Sequence, residues 1–154
     1  MNKTDRTISH ILILVLVVFG GIAVYRASKY YSDLPLTNAA RRGDVHTVQI
    51  YLETNPNPKS KTFEVMYRSS LYGAHTPYNN YVKIVGLFID HGADANETLQ
   101  RAVDENKSEI AQEAILKGAN VNMPYPDGRT LLSSAKRDND VAMIKLLKHA
   151  GARK

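Results

Sequence analysis

The sequence predicts an all-α chain assembled from repeated helical units, on two observations. The first is a phrase written three times: an amphipathic helix ending at glycine recurs over Val82 to Asn96, Ser108 to Asn122 and Asp140 to Ala152. The second is the interval. Gly118 to Gly151 is 33 residues, and Ala102 to Ala135, in the segments preceding those two helices, is also 33. Gly92 to Gly118 is only 26, so that unit lacks about seven residues of connection. Self-similarity of this kind marks stacked units, each too small to bury its own apolar face and completed by its neighbours.

Shorter fragments sharpen the reading. Leu34 to Ala40 reads Leu-Pro-Leu-Thr-Asn-Ala-Ala and runs into Arg41, Arg42, Gly43 and Asp44. Asp127 to Thr130 reads Asp-Gly-Arg-Thr, while Gly92 to Asn96 and Gly118 to Asn122 read Gly-Ala-Asp-Ala-Asn and Gly-Ala-Asn-Val-Asn. In this order the fragments resemble the ankyrin-repeat family over roughly Leu34 to Ala152. The resemblance implies a solenoid of about four helix–turn–helix units, each a β-turn plus two antiparallel helices, gripping a protein with the inner helices and the turn fingers.

Two regions are expected, residues 1–31 and a repeat domain over 32–154. In the first, Thr7 to Tyr25 holds no formally charged residue, and Ile11 to Val24 is apolar or glycine throughout. As a helix these residues span about 28 Å, enough for a bilayer core of about 30 Å. Tyr25, Tyr30 and Tyr31 with Arg26 and Lys29 suit the interface at the far end. Two uses stay open: an uncleaved signal anchor, or a signal peptide cleaved near Ala23. A short basic N-terminus places the repeats across the inner membrane, in the periplasm of a Gram-negative bacterium. The alternative is a soluble periplasmic protein.

Along the repeats, the first unit runs from Leu34 to about Asn57, with Asn55 where later units place glycine and therefore the expected left-handed cap. The second has an inner helix at about Thr62 to Tyr72 and an outer helix at about Asn80 to His91, separated by the insertion Gly73 to Asn80. The third lacks a finger and enters a helix at about Leu99 to Glu105, capped by Thr98 or Asn96. The fourth restores a finger at Met123 to Arg129, stiffened by Pro124 and Pro126, with Tyr125 near its tip. The closing helix, Asp140 to His149, collects Lys145, Lys148 and His149 at its C-terminal end, where they suit the helix dipole.

Charge and composition exclude several functions. The chain is formally +5, but residues 32–154 carry 16 Lys or Arg against 14 Asp or Glu, too even for a phosphate-backbone binder. Cysteine is absent, which removes disulfides, thiolate metal ligands and a cysteine nucleophile. No nucleophile elbow, phosphate-binding glycine loop or His-Glu-x-x-His pair occurs, and no histidine has another three or four residues away. The expectation is a non-enzyme without cofactor or metal.

The expected function is therefore the binding of one protein partner. Candidate contacts are Arg41, Arg42, Tyr67, Tyr72, His75, Tyr78, Tyr81, Arg101, Asp104, Tyr125, Arg129 and Lys136, chosen because they fall on inner helices, the insertion or the finger. Tyrosine and arginine are the side chains that concentrate binding energy at interfaces. An export segment followed by a few such units resembles the type VI effector immunity proteins, which implies neutralisation of a toxic effector such as a phospholipase. The other expectation is a scaffold that docks an envelope enzyme or complex without inhibiting it.

Overall fold

The computed structural model describes residues 35–72 and 78–153. The apolar segment 7–25, the insertion residues 73–77 with His75, and the side chain of Tyr78 lie outside the described residues. The unit considered below is Thr37–Lys154. Among the described residues it is all-α, with one isolated β-bridge between Pro124 and Thr130. No described helix is long and apolar enough to cross a membrane.

The helices are α1 (residues 35–42), α2 (Val45–Thr54), α3 (Lys61–Leu71), α4 (Tyr78–Asp90), α5 (Ala95–Asp104), α6 (Ser108–Leu116), α7 (Leu131–Arg137) and α8 (Val141–His149). The helices pair, α3 packing on α4, α5 on α6 and α7 on α8, the last two pairs joined by short turns. The hairpins stack: α2, α4, α6 and α8 pack in series as one layer, while α5 packs on α7 in the other.

Local chemistry sets most helix starts. The side chains of Asp44, Ser60, Asp94 and Asp140 accept from backbone N–H groups in the first turns of α2, α3, α5 and α8. Thr130 and Ser133 close a reciprocal capping box on α7. Each such cap contributes about 1 kcal/mol by satisfying an N–H that the helix itself cannot.

Two kinds of turn alternate. Within a hairpin, a residue in the turn after the first helix takes a left-handed conformation: Gly43 at φ 71°, Asn106 at 55° and Asn139 at 55°. The next N–H then reaches back to an alanine carbonyl, from Asp44 to Ala39, Lys107 to Ala102 and Asp140 to Ala135. Asn106 and Asn139 are 33 residues apart, so the interval read from glycine and alanine holds in backbone geometry as well. After α4, α6 and α8, Gly92 at φ 102°, Gly118 at 92° and Gly151 at 88° let Ala93, Ala119 and Ala152 donate to the Phe88, Ala114 and Leu147 carbonyls. With the left-handed residue's own N–H donating to the carbonyl three residues back, each turn is a Schellman closure, which pairs carbonyls otherwise orphaned at a helix end.

The core follows the stack. Phe88 is fully buried, with the Phe63 ring edge-on at 5.0 Å and the Tyr67 ring tilted at 5.6 Å. Leu52, Met66, Ile84, Leu99, Leu131, Met143 and Leu147 continue the apolar seam through the successive hairpins.

Three sequence expectations need correction. Helix α5 starts at Ala95 and not near Leu99, and its cap is Asp94 rather than Thr98 or Asn96, because Asp94 Oδ1 already takes the Asn96 and Glu97 N–H groups. Asn55 sits at φ −132°, not in the left-handed region, because Pro56 follows and holds it extended. Helix α4 begins at Tyr78, so the insertion is shorter than Gly73 to Asn80.

Candidate protein-binding surface

The exposed side of α3, α5 and α7 carries a run of ordered polar contacts. Tyr72, at the C-terminal cap of α3, is 60% exposed. Its hydroxyl accepts from Arg101 Nη1 at 3.1 Å, and the Lys107 ammonium lies 5.6 Å from its ring centroid. Arg101 is in turn held by Glu97 one helical turn away, through Nε at 3.2 Å and Nη2 at 3.1 Å. An exposed tyrosine fixed in this way loses little side-chain freedom on binding.

Asp104 is exposed at the end of α5, and its Oδ1 accepts from the Tyr125 hydroxyl at 2.7 Å. A shallow cavity of about 420 Å³ opens beside it, lined by Glu97, Gln100, Arg101, Asp104 and Glu105. The finger is ordered by its own contacts and joined to Asp104 through Tyr125. Arg129 lies 4.7 Å above the Tyr125 ring and pairs through Nε with Asp127 Oδ2 at 2.6 Å. That pairing holds the Asp127 carboxyl below the usual carboxylate range. The finger closes with a bond from the Tyr125 N–H to the Arg129 carbonyl, and Gly128 at φ 82° completes the turn.

The expected tyrosines divide sharply. Tyr67 is 7% exposed, and its hydroxyl meets Thr98 Oγ1; because Thr98 donates its own proton to the Asp94 carbonyl, Tyr67 is the donor. Tyr81 is 3% exposed and donates to the Arg41 carbonyl. Tyr125 is 5% exposed and lies beneath the finger instead of at its tip. Burial, reinforced by the Asp104 carboxylate, pushes its hydroxyl up to about 12. These three are internal ties between neighbouring units, and among the candidate tyrosines whose side chains are described only Tyr72 is exposed.

Arg41, Arg42 and Lys136 are exposed, at the ends of α1 and α7. Lys107 carries a role the sequence did not disclose. It stands where α2 and α8 have an aspartate cap, and makes no side-chain cap of its own. Its ammonium instead donates to the Leu71 carbonyl at the end of α3 and to Glu105 Oε2. The Glu97–Arg101 pair, by contrast, was readable from its four-residue spacing.

On the opposite layer a second hollow of about 270 Å³ lies among α2, α4 and α6, between Val45 and Leu87. Glu113 lies against Gly86 there, and Lys117 bridges to Asp90 at 2.6 Å. No cluster of three or more metal-ligating side chains occurs among the described residues. No known family model matches the chain, and no curated protein matches it either.

Proposed function

We propose that this chain is an ankyrin-type solenoid whose exposed α3, α5 and α7 face, with the Met123–Arg129 finger, binds one protein partner. The reading is supported above all by the ordered surface at Tyr72, Arg101 and Asp104, where each exposed side chain is fixed by an internal partner. A pre-arranged aromatic and charged surface on stacked hairpins suits protein recognition, because ordering entropy is already spent in the free state. The recurrent left-handed turns and layered packing support the solenoid.

The biological role that fits an export segment followed by such a stack is that of an immunity protein. It neutralises a toxic effector, such as a phospholipase, in the periplasm. The module itself is non-catalytic and needs no cofactor. The test is affinity capture from the source cells with the full-length chain as bait, followed by assay of the captured protein. Recovery of one stoichiometric hydrolase whose activity falls as the chain is added supports the role. Recovery of envelope-complex subunits whose activity is unchanged replaces it with a scaffold, and recovery of nothing stoichiometric overturns both.

A further inference from the structure

The carboxylates of the proposed binding face are not equivalent. Glu64, Glu97, Glu105 and Asp138 are each held by a lysine or arginine between 2.5 and 3.1 Å away. Asp104 alone among the described carboxylates of α3, α5, α7 and their C-terminal caps has no ion-pair partner. Arg137 is near enough to feel its charge but is committed to Asp138 at 2.8 Å. Asp104 is nevertheless fixed, because the buried Tyr125 holds one of its oxygens and leaves the other toward solvent.

We propose that Asp104 is the anchor at which a lysine or arginine side chain of the partner protein docks on the exposed face of α5. This rests on the protein-binding reading above and adds the chemistry of the partner. Charge complementarity selects the occupant: within the cavity Arg101 is answered by Glu97, so Asp104 is the charge still lacking a counterpart. A cation meeting a fixed carboxylate makes a stronger hydrogen bond than any neutral donor would. Tyr72, exposed and tied to the cavity-lining Arg101, offers an aromatic surface along which the aliphatic stem of that side chain can lie.

The test is selection of a random peptide display library on the full-length chain and on its Asp104→Asn variant. Asparagine keeps the shape and an oxygen for Tyr125 but removes the charge. Glu109→Gln, on α6 in the other layer, serves as the charge-matched control. Wild type and Glu109→Gln are expected to enrich peptides with lysine or arginine at one fixed position, and Asp104→Asn to bind those peptides at least about tenfold more weakly. All three proteins should melt cooperatively well above the selection temperature, Asp104→Asn a little lower because its bond to Tyr125 is now neutral, so that the loss is not one of folding. Peptides retained equally by Asp104→Asn, or enriched without regard to charge, overturn this anchor and leave the binding module standing. No enrichment on any of the three overturns the binding module itself.

Discussion

The C-terminal hairpins and the α3–α4 pair differ in the long-range ties that reach them. In α5–α6 and α7–α8 the backbone closes every turn, through Asn106 and Asn139 within the hairpins and Gly118 and Gly151 after them. The turn after α4 closes likewise at Gly92, and α3 and α4 add long-range ties: Lys107 donates to the Leu71 carbonyl, Tyr67 reaches Thr98, Tyr81 reaches the Arg41 carbonyl and Asn80 the Gly43 carbonyl. Local turns can form before a neighbour is in place, whereas these long-range ties exist only in the finished stack. Helices α3 and α4, tied in this way to the helices on both sides, should therefore depend on their neighbours more than α7 and α8 do.

The largest test of that asymmetry is Phe88→Ala. Phe88 joins Phe63 and Tyr67 in a fully buried cluster, so its removal should cost about 3–5 kcal/mol in chemical denaturation. Hydrogen exchange should show the loss concentrated in α3 and α4. Equal loss of protection in α7 and α8 would instead mean that the stack unfolds as one cooperative block.

Lys107→Met comes next. It keeps the apolar stem but leaves the Leu71 carbonyl without its donor, at an expected cost of about 1–3 kcal/mol. The change lies on the turn before α6, yet the predicted loss of exchange protection is at the C-terminal end of α3. Protection lost only in α6 would show that Lys107 serves its own hairpin and not the one before it. A smaller effect on the other side of the comparison is Asn139→Ala, which forces a Cβ-bearing residue lacking the polar side chain to hold φ 55°. About 1 kcal/mol is expected, against a gain or no change for Asn139→Gly, as read from melting curves.

Much of this organisation was legible in the residues. Glycine at 118 and 151 and alanine at 102 and 135 encode backbone turns and close packing, and such constraints are local enough to read from spacing. The Asn106 and Asn139 turns were missed because asparagine is only permissive of the left-handed region, and the sequence pointed to Asn55 instead. The candidate surface was legible only in part. Tyr67, Tyr72, Tyr81 and Tyr125 are chemically alike in a string of letters, and which of them is buried depends on the one acceptor within reach: Thr98, the Arg41 carbonyl or Asp104. Those acceptors are 21 to 40 residues away, beyond any local pattern. Lys107 escaped notice for the same reason, since its acceptor is 36 residues distant.

The smallest effect near neutral pH, and a distinct one in alkali, belongs to Tyr125. Its hydroxyl is raised to about 12 in the folded protein, against about 10 for tyrosine in an unfolded chain. Below pH 10 both states keep the proton and stability is undiminished. Between about pH 10 and 12 the unfolded state gives up that proton first, so stability falls as pH rises. Tyr125→Phe should flatten that part of the curve, measured by urea denaturation from pH 9 to 12, and an unchanged slope would argue against the buried tie to Asp104.

The claim most in need of direct trial is that the α3, α5 and α7 face is the binding face. A photo-crosslinking amino acid placed at Tyr72 or, on α6 in the other layer, at Leu116, which is 72% exposed, separates the possibilities in the source cells. The account predicts one discrete protein crosslinked from position 72 and none from position 116. Crosslinking to the same protein from position 116 alone would contradict it and move the binding surface to the α2, α4, α6 and α8 layer.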